Sequence, residues 1–199
     1  MALIGCYREP PEPRQFVPGN DLYEQFSSPG QRVTIADGDG EPIMKLRQRS
    51  SRIRVFDADM IPAGQVRMSG DAITQRSRDG QTTHTVDWVD YDTAVIDGLW
   101  RLEKSGPHWE ITADGDDAPR LLGRLESDGD DWTMLRDDRR FRVEAHSGSL
   151  RVVDDDDTTI IDIDTDTFDP RSVLVLAIDE LEPVERATLS RVVTKSRDH

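Results

Sequence analysis

The segment "TFDPRSVLVLAIDELEPVE", Thr167 to Glu185, holds the longest apolar run in the chain, the six residues Val173 to Ile178. Asp169 followed by Pro170 is a helix start, with Asp as N-cap and Pro at the first helical position. Pro183 limits such a helix to about twelve residues. On a helix these six side chains point in every direction around the axis. A helix that is apolar all round has to be buried all round. Val and Ile also favour strands, and six residues is a strand's length, so a core strand is the competing reading. The Asp–Pro start, and Leu181 three residues beyond Ile178, favour the helix. The lumen of a closed β-barrel can enclose it.

The preceding residues read as the wall of such a barrel. "RVTIADGDGEPIMKLR", "RIRVFDADMIPAGQVRM", "WEITADGDDAPRLLGRLE" and "RFRVEAHSGSLRVVD" each run from apolar alternation through a Gly- or Asp-rich turn into alternation again. That is the hairpin signature. Val33 and Ile35 share one strand face, as do Ile53 and Val55, and Phe141 and Val143. "THTVDWVDYDTAVIDGLWRLEK" and "DWTMLR" alternate as well. About a dozen short strands result, at the spacing of a sandwich or barrel. The units lack a fixed period, which argues against a propeller or solenoid. A long antiparallel sheet must curl or close to protect its edges, and closure is expected here.

Residues 1–30, with Pro10, Pro11, Pro13, Pro18 and Pro29, read as an extended or disordered arm. Residues 31–182 form the barrel with its helix. Residues 183–199, with "VERATLSRVVTK", show only a weak apolar stripe (Val184, Ala187, Thr188, Arg191) and read as a surface helix and tail.

A strand meander ending in an acidic strand and an apolar helix, here "IIDIDTDTFDPRSVLVLAID" from Ile160 to Asp179, resembles the tubby-like superfamily. That superfamily includes phospholipid scramblases and the LURP-one-related proteins, and the resemblance is closest to the last. It implies an all-β fold with a C-terminal helix, a closed antiparallel barrel of about twelve strands around a buried helix. It also implies a modest functional range, in which tubby domains bind phosphoinositide headgroups through basic residues and scramblases act on membranes.

Charge narrows the function classes. Of 40 acids 29 are Asp, of 25 bases 22 are Arg, and the net charge is −15. That balance repels nucleic acid and anionic membrane overall. No apolar stretch reaches the roughly 20 residues of a membrane span. The single Cys6 excludes an internal disulfide and suits a reducing compartment. "LIGC", Leu3 to Cys6, spells a lipoprotein cleavage box, but only Met1 and Ala2 precede it, too little for a signal sequence. The reading is cytoplasmic.

One basic stretch, "KLRQRSSRIR", could build an anion site. Lys45, Arg47 and Arg49 alternate and share a strand face, with Arg52 and Arg54 on the next strand. Several guanidinium groups within reach of one phosphate make an anion site. A solvated face paired with the abundant Asp is the plainer alternative. "RDDRRFR", residues 136–142, mixes both signs. Asp162, Asp164 and Asp166 share a strand face behind the Asp154–Asp157 block and offer hard oxygens for Ca²⁺. EF-hand spacing fails at Thr167 and Val173. His84, His108 and His146 show no metal spacing, and no GxSxG, P-loop or GxGxxG motif is present. No cofactor, metal or catalytic residue is assigned. The expected function is a non-enzymatic intracellular binding or scaffolding module. Its partner is a protein, or a phosphate-bearing small ligand or lipid headgroup at the Arg-rich hairpin. A small hydrolase or isomerase using barrel-mouth carboxylates, and an acidic calcium-binding protein, are the alternatives.

Overall fold

The computed structural model describes residues 31–49, 51–90, 92–96, 98–114, 118–128 and 131–196. The expected arm over 1–30, Cys6 and the last three residues lie outside them. Fifteen strands occur among the described residues: β1 (Gln31–Asp37), β2 (Pro42–Arg49), β3 (Arg52–Asp57), β4 (Pro62–Ser69), β5 (Ala72–Ser77), β6 (Thr83–Thr85), β7 (Asp87–Asp90), β8 (Thr93–Ile96), β9 (Trp100–Ser105), β10 (His108–Ala113), β11 (Arg120–Asp128), β12 (Asp131–Arg136), β13 (Arg139–His146), β14 (Ser149–Val153) and β15 (Thr159–Ile163). Two helices follow, α1 (Pro170–Leu176) and α2 (Pro183–Lys195).

All strands join one antiparallel sheet in which sequence neighbours pair and β1 pairs β15. The two ends of the sheet, β6 and β7, are separated in sequence only by Val86. β6 pairs β5 while β7 pairs β8. A single stretch, 83–90, thus bridges the two ends of the ribbon, and the sheet is a nearly closed barrel. The four hairpins expected from sequence are present as β1–β2, β3–β4, β10–β11 and β13–β14. The count of about twelve is corrected to fifteen. β6, β7 and β8 have three or four residues each, too few to show separate alternation.

Inward positions form cross-strand apolar ladders: Val33–Leu46–Val55, Ile35–Ile163–Leu150, and Trp109–Leu125–Met134–Phe141. All of these residues are buried in one continuous core. The Asp excess serves the turns. Asp37, Asp57 and Asp154, each ending or following a strand, accept the backbone N–H four residues on, from Glu41, Ile61 and Thr158. This is local side-chain capping of a tight turn.

α1 starts as its sequence requires, with Asp169 accepting the Arg171 N–H at 2.9 Å and Pro170 in the first turn. The Arg171 guanidinium also bonds Asp169 and lies over the Trp132 ring, 5.1 Å from its centroid. Val173 to Ile178 are all at most 5 % exposed. Full burial stabilises by about 1.5–3 kcal/mol for each large side chain among them. α1 packs on β12, β13 and β14, and α2 on β3, β4 and β5.

The expected surface helix is corrected. α2 buries Val184, Ala187, Thr188, Leu189, Ser190, Val192 and Val193. Its hydroxyls hide this, because Thr188 and Thr194 donate back to the carbonyls of Val184 and Ser190 in their own helix. Satisfied in this way, Thr188 enters a core that composition marks as closed to it, while Thr194 stays exposed. Ser172 of α1 adds a bond to the Ser190 carbonyl at 2.9 Å, joining the helices. Gly64 admits the start of α2, since a Cβ there would lie 2.9 Å from Cγ2 of Val184.

Candidate anion-binding face

Because Leu46, Ile53, Val55 and Val66 point into the core, the residues between them point outward. The register then aligns the outward bases. Arg49 pairs Arg52, which pairs Arg67, which pairs Thr74. One step along the strands, Arg32 pairs Arg47, Arg47 pairs Arg54, Arg54 pairs Gln65, and Gln65 pairs Arg76. Adjacent strands are about 4.8 Å apart and the two rows roughly 6.7 Å apart. None of these outward positions holds Asp or Glu.

The structure therefore divides the five sequence candidates. Arg49 and Arg52 fall in one row, exposed and half-buried, and Arg67, exposed on β4, completes it. Sequence reasoning missed Arg67 because it lies fifteen residues away. The β3–β4 hairpin signal could have found it, since pairing that hairpin brings Arg52 and Arg67 opposite each other. Arg47 and Arg54 fall in the second row. Arg47 is only 4 % exposed. Burial, then the neighbouring Arg49 and Arg32, lower its pKa from the ordinary guanidinium value. Arg47 therefore cannot meet a ligand on the open surface. Lys45 is half-buried beside Thr34 and Phe56. The side chains of Arg49, Arg52 and Arg67 make no hydrogen bond or ion pair with any described residue.

The outer face of β9 to β15 is built differently. Arg101 meets Glu103 at 2.8 Å, Arg124 meets Glu110 at 2.8 Å, Arg142 meets Glu144 at 2.9 Å, and Arg151 meets Asp162 at 2.7 Å. Arg142 also binds Asp157, and its pKa is raised chiefly by that contact. Asp154 binds Arg139 and accepts the N–H groups of Asp156 and Thr158. The Thr158 N–H above all, with that of Asp156 and with Arg139, holds this carboxyl below its usual value against the effect of burial.

Most of the residues considered for calcium have other partners. Asp162 binds Arg151, Asp164 accepts the Thr34 N–H at 2.6 Å, and Asp155 accepts the Arg140 N–H. No group of three or more potential metal ligands occurs among the described residues. His84, His108 and His146 sit on β6, β10 and β13.

A cavity of about 470 Å³ opens where α1 gives way to α2, floored by Met44, Phe141 and Ile161 and rimmed by Arg136, Asp179 and Arg186. Its rim charges are engaged. Arg136 binds Asp179 at 2.6 Å and Glu180 at 2.7 Å. Arg186 donates to the carbonyls of Leu181 and Asp179. Burial would raise the Asp179 carboxyl, but Arg136 holds it below its ordinary value, which suits a structural anchor and not a general acid. No described helix is long and apolar enough to cross a membrane.

No family model, curated protein or solved structure matches the chain.

Proposed function

We propose that this protein is a non-enzymatic binding module whose arginine face on β2 to β5 docks an anionic group of a partner protein. The observation that carries the reading is the row Arg49–Arg52–Arg67: three cations at directly paired positions, with no carboxylate on any neighbouring outward position. Like charges placed directly opposite each other are destabilising. A chain with 40 acids had ample means to neutralise them. The engaged charges of the 470 Å³ cavity give a hydrolase or isomerase less support. Kinship with the tubby-like superfamily belongs to the same proposal. The buried α1 helix supports it, while fifteen strands and a second buried helix depart from the pattern expected for it.

Binding of polyglutamate and of tripolyphosphate, followed by calorimetry at low ionic strength, tests the module. The parent is expected to bind both, more weakly as NaCl rises, since salt screens surface charge. Arg49→Gln/Arg52→Gln/Arg67→Gln is expected to lose binding while keeping its circular dichroism spectrum. A parent that binds neither polyanion at low salt ends the reading.

A further inference from the structure

Resting on that reading, we propose that the group held by Arg49, Arg52 and Arg67 is a phosphate monoester, carried on a phosphorylated side chain of a partner protein. Directly paired residues on one face of an antiparallel sheet have Cβ atoms roughly 5 Å apart. Three arginines so placed can swing their guanidinium groups onto one centre. A carboxylate has one charge and two oxygens, and a single bidentate arginine satisfies it. A phosphate monoester carries close to two charges and three strong acceptor oxygens, so it uses several donors at once. Thr74 extends the row on β5, and its hydroxyl supplies a further donor. Arg76, exposed two residues along the same strand, adds positive field from one side.

Two observations select the source of that phosphate. The row lies on the convex outer wall of the barrel, so a free small phosphate ester would be touched from one side only. Small-molecule sites are concave and bury most of their ligand. The ligand's other contacts must then come from a larger partner. The exposed turn acids Asp59, Asp71 and Asp79 rim the same strands. An anionic bilayer would press against these acids as well as the arginines. One phosphorylated side chain meets the row alone, within a Debye length of about 8 Å.

The experiment is fluorescence anisotropy with the full chain and two labelled mixed-sequence peptide libraries. One is centred on phosphoserine, phosphothreonine or phosphotyrosine; the other carries glutamate there. The phosphorylated library is expected to bind at least about tenfold more tightly, given the added charge-assisted bonds. Millimolar inorganic phosphate is expected to displace it. Arg52→Gln/Arg67→Gln, with unchanged circular dichroism, is expected to bring the two libraries to equal affinity. Equal affinity in the parent would overturn the phosphate assignment while leaving the arginine face as an anion site. No binding of either library or of the polyanions would remove both. Tighter binding to phosphatidylcholine vesicles containing a phosphatidylinositol phosphate than to the phosphorylated library would overturn the protein source.

Discussion

The two halves of the barrel wall share an inward face and differ in their outward one. On β9 to β15 arginines alternate with acids; Arg124–Glu110 and Arg151–Asp162 tie neighbouring strands, while Arg101–Glu103 and Arg142–Glu144 pair along a single strand. On β1 to β5 the same outward positions hold arginine opposite arginine. Both halves nonetheless present continuous apolar ladders to the same core. Inward residues therefore carry the fold, and outward charge is left free to serve something else. Exposed ion pairs are worth about 0–1 kcal/mol each, so giving them up over half the wall costs the fold little. What the arginine half gains is a concentrated positive field on a chain of net charge −15.

The contrast breaks most visibly under charge reversal. Arg49→Glu/Arg52→Glu/Arg67→Glu is expected to weaken polyanion binding by about a hundredfold or more, because hydrogen bonds to charged groups contribute roughly 1.5–3 kcal/mol each. Its urea midpoint should stay near that of the parent. Arg124→Glu, on the opposite half, should do the reverse. It is expected to leave binding intact and destabilise by about 1 kcal/mol, since it sets a like charge against Glu110. Paired titrations and urea melts on the two variants check this. A single pattern of loss in both would mean the halves do not differ in role.

The next effect concerns acid. Asp154 is 1 % exposed and holds the β14–β15 turn through Thr158 and Asp156. Its folded pKa is lowered, so its contribution is complete above the unfolded value of about 3.9 and is lost as pH falls below it, the unfolded chain taking up the proton first. Asp154→Asn keeps an acceptor oxygen but not the charge. Its urea midpoint is expected to be lower than the parent's at pH 7 and to fall less steeply between pH 5 and about pH 2.5. On the arginine half Asp79, whose carboxyl is likewise lowered by the Ser77 hydroxyl and the Gln81 N–H, is left in place, so Arg49→Gln/Arg52→Gln/Arg67→Gln should leave the acid limb unchanged. Parallel acid limbs for Asp154→Asn and the parent would remove the carboxylate from the account.

Much of this fold was legible in sequence, for identifiable reasons. The hairpins carried Gly or Asp turns between alternating segments, and Asp169–Pro170 marked a helix start that the backbone obeys. α2 was misread because Thr188 and Ser190 look polar yet are buried, Thr188 donating its hydroxyl to the Val184 carbonyl and Ser190 accepting the Ser172 hydroxyl at its own carbonyl. The candidate site was half legible. Alternation placed Arg47 with Arg49, and Arg52 with Arg54, along their strands. Which of them stand opposite each other, and that Arg67 joins them, depends on register across two hairpins. The burial of Arg47 depends on tertiary surroundings that no local pattern encodes.

The smallest expected effect is the sharpest test of why the arginine half lacks acids. Thr74 faces Arg67 directly on β5 and Thr85 on β6, so Thr74→Glu places one carboxylate in the row. If the missing acids are a stability sacrifice, this variant should gain about 0.2–1 kcal/mol from the new pair. Glu is a poorer strand former than Thr, and that difference is of similar size. Thr74→Gln has nearly the same shape without the charge, so the difference between the Glu and Gln variants isolates the pairing. Thr74→Glu should also weaken phosphopeptide binding more than Thr74→Gln does, because its carboxylate competes for Arg67. A Glu variant no more stable than the Gln variant would show that the row carries no electrostatic strain to relieve. The absence of acids there would then no longer point to a ligand.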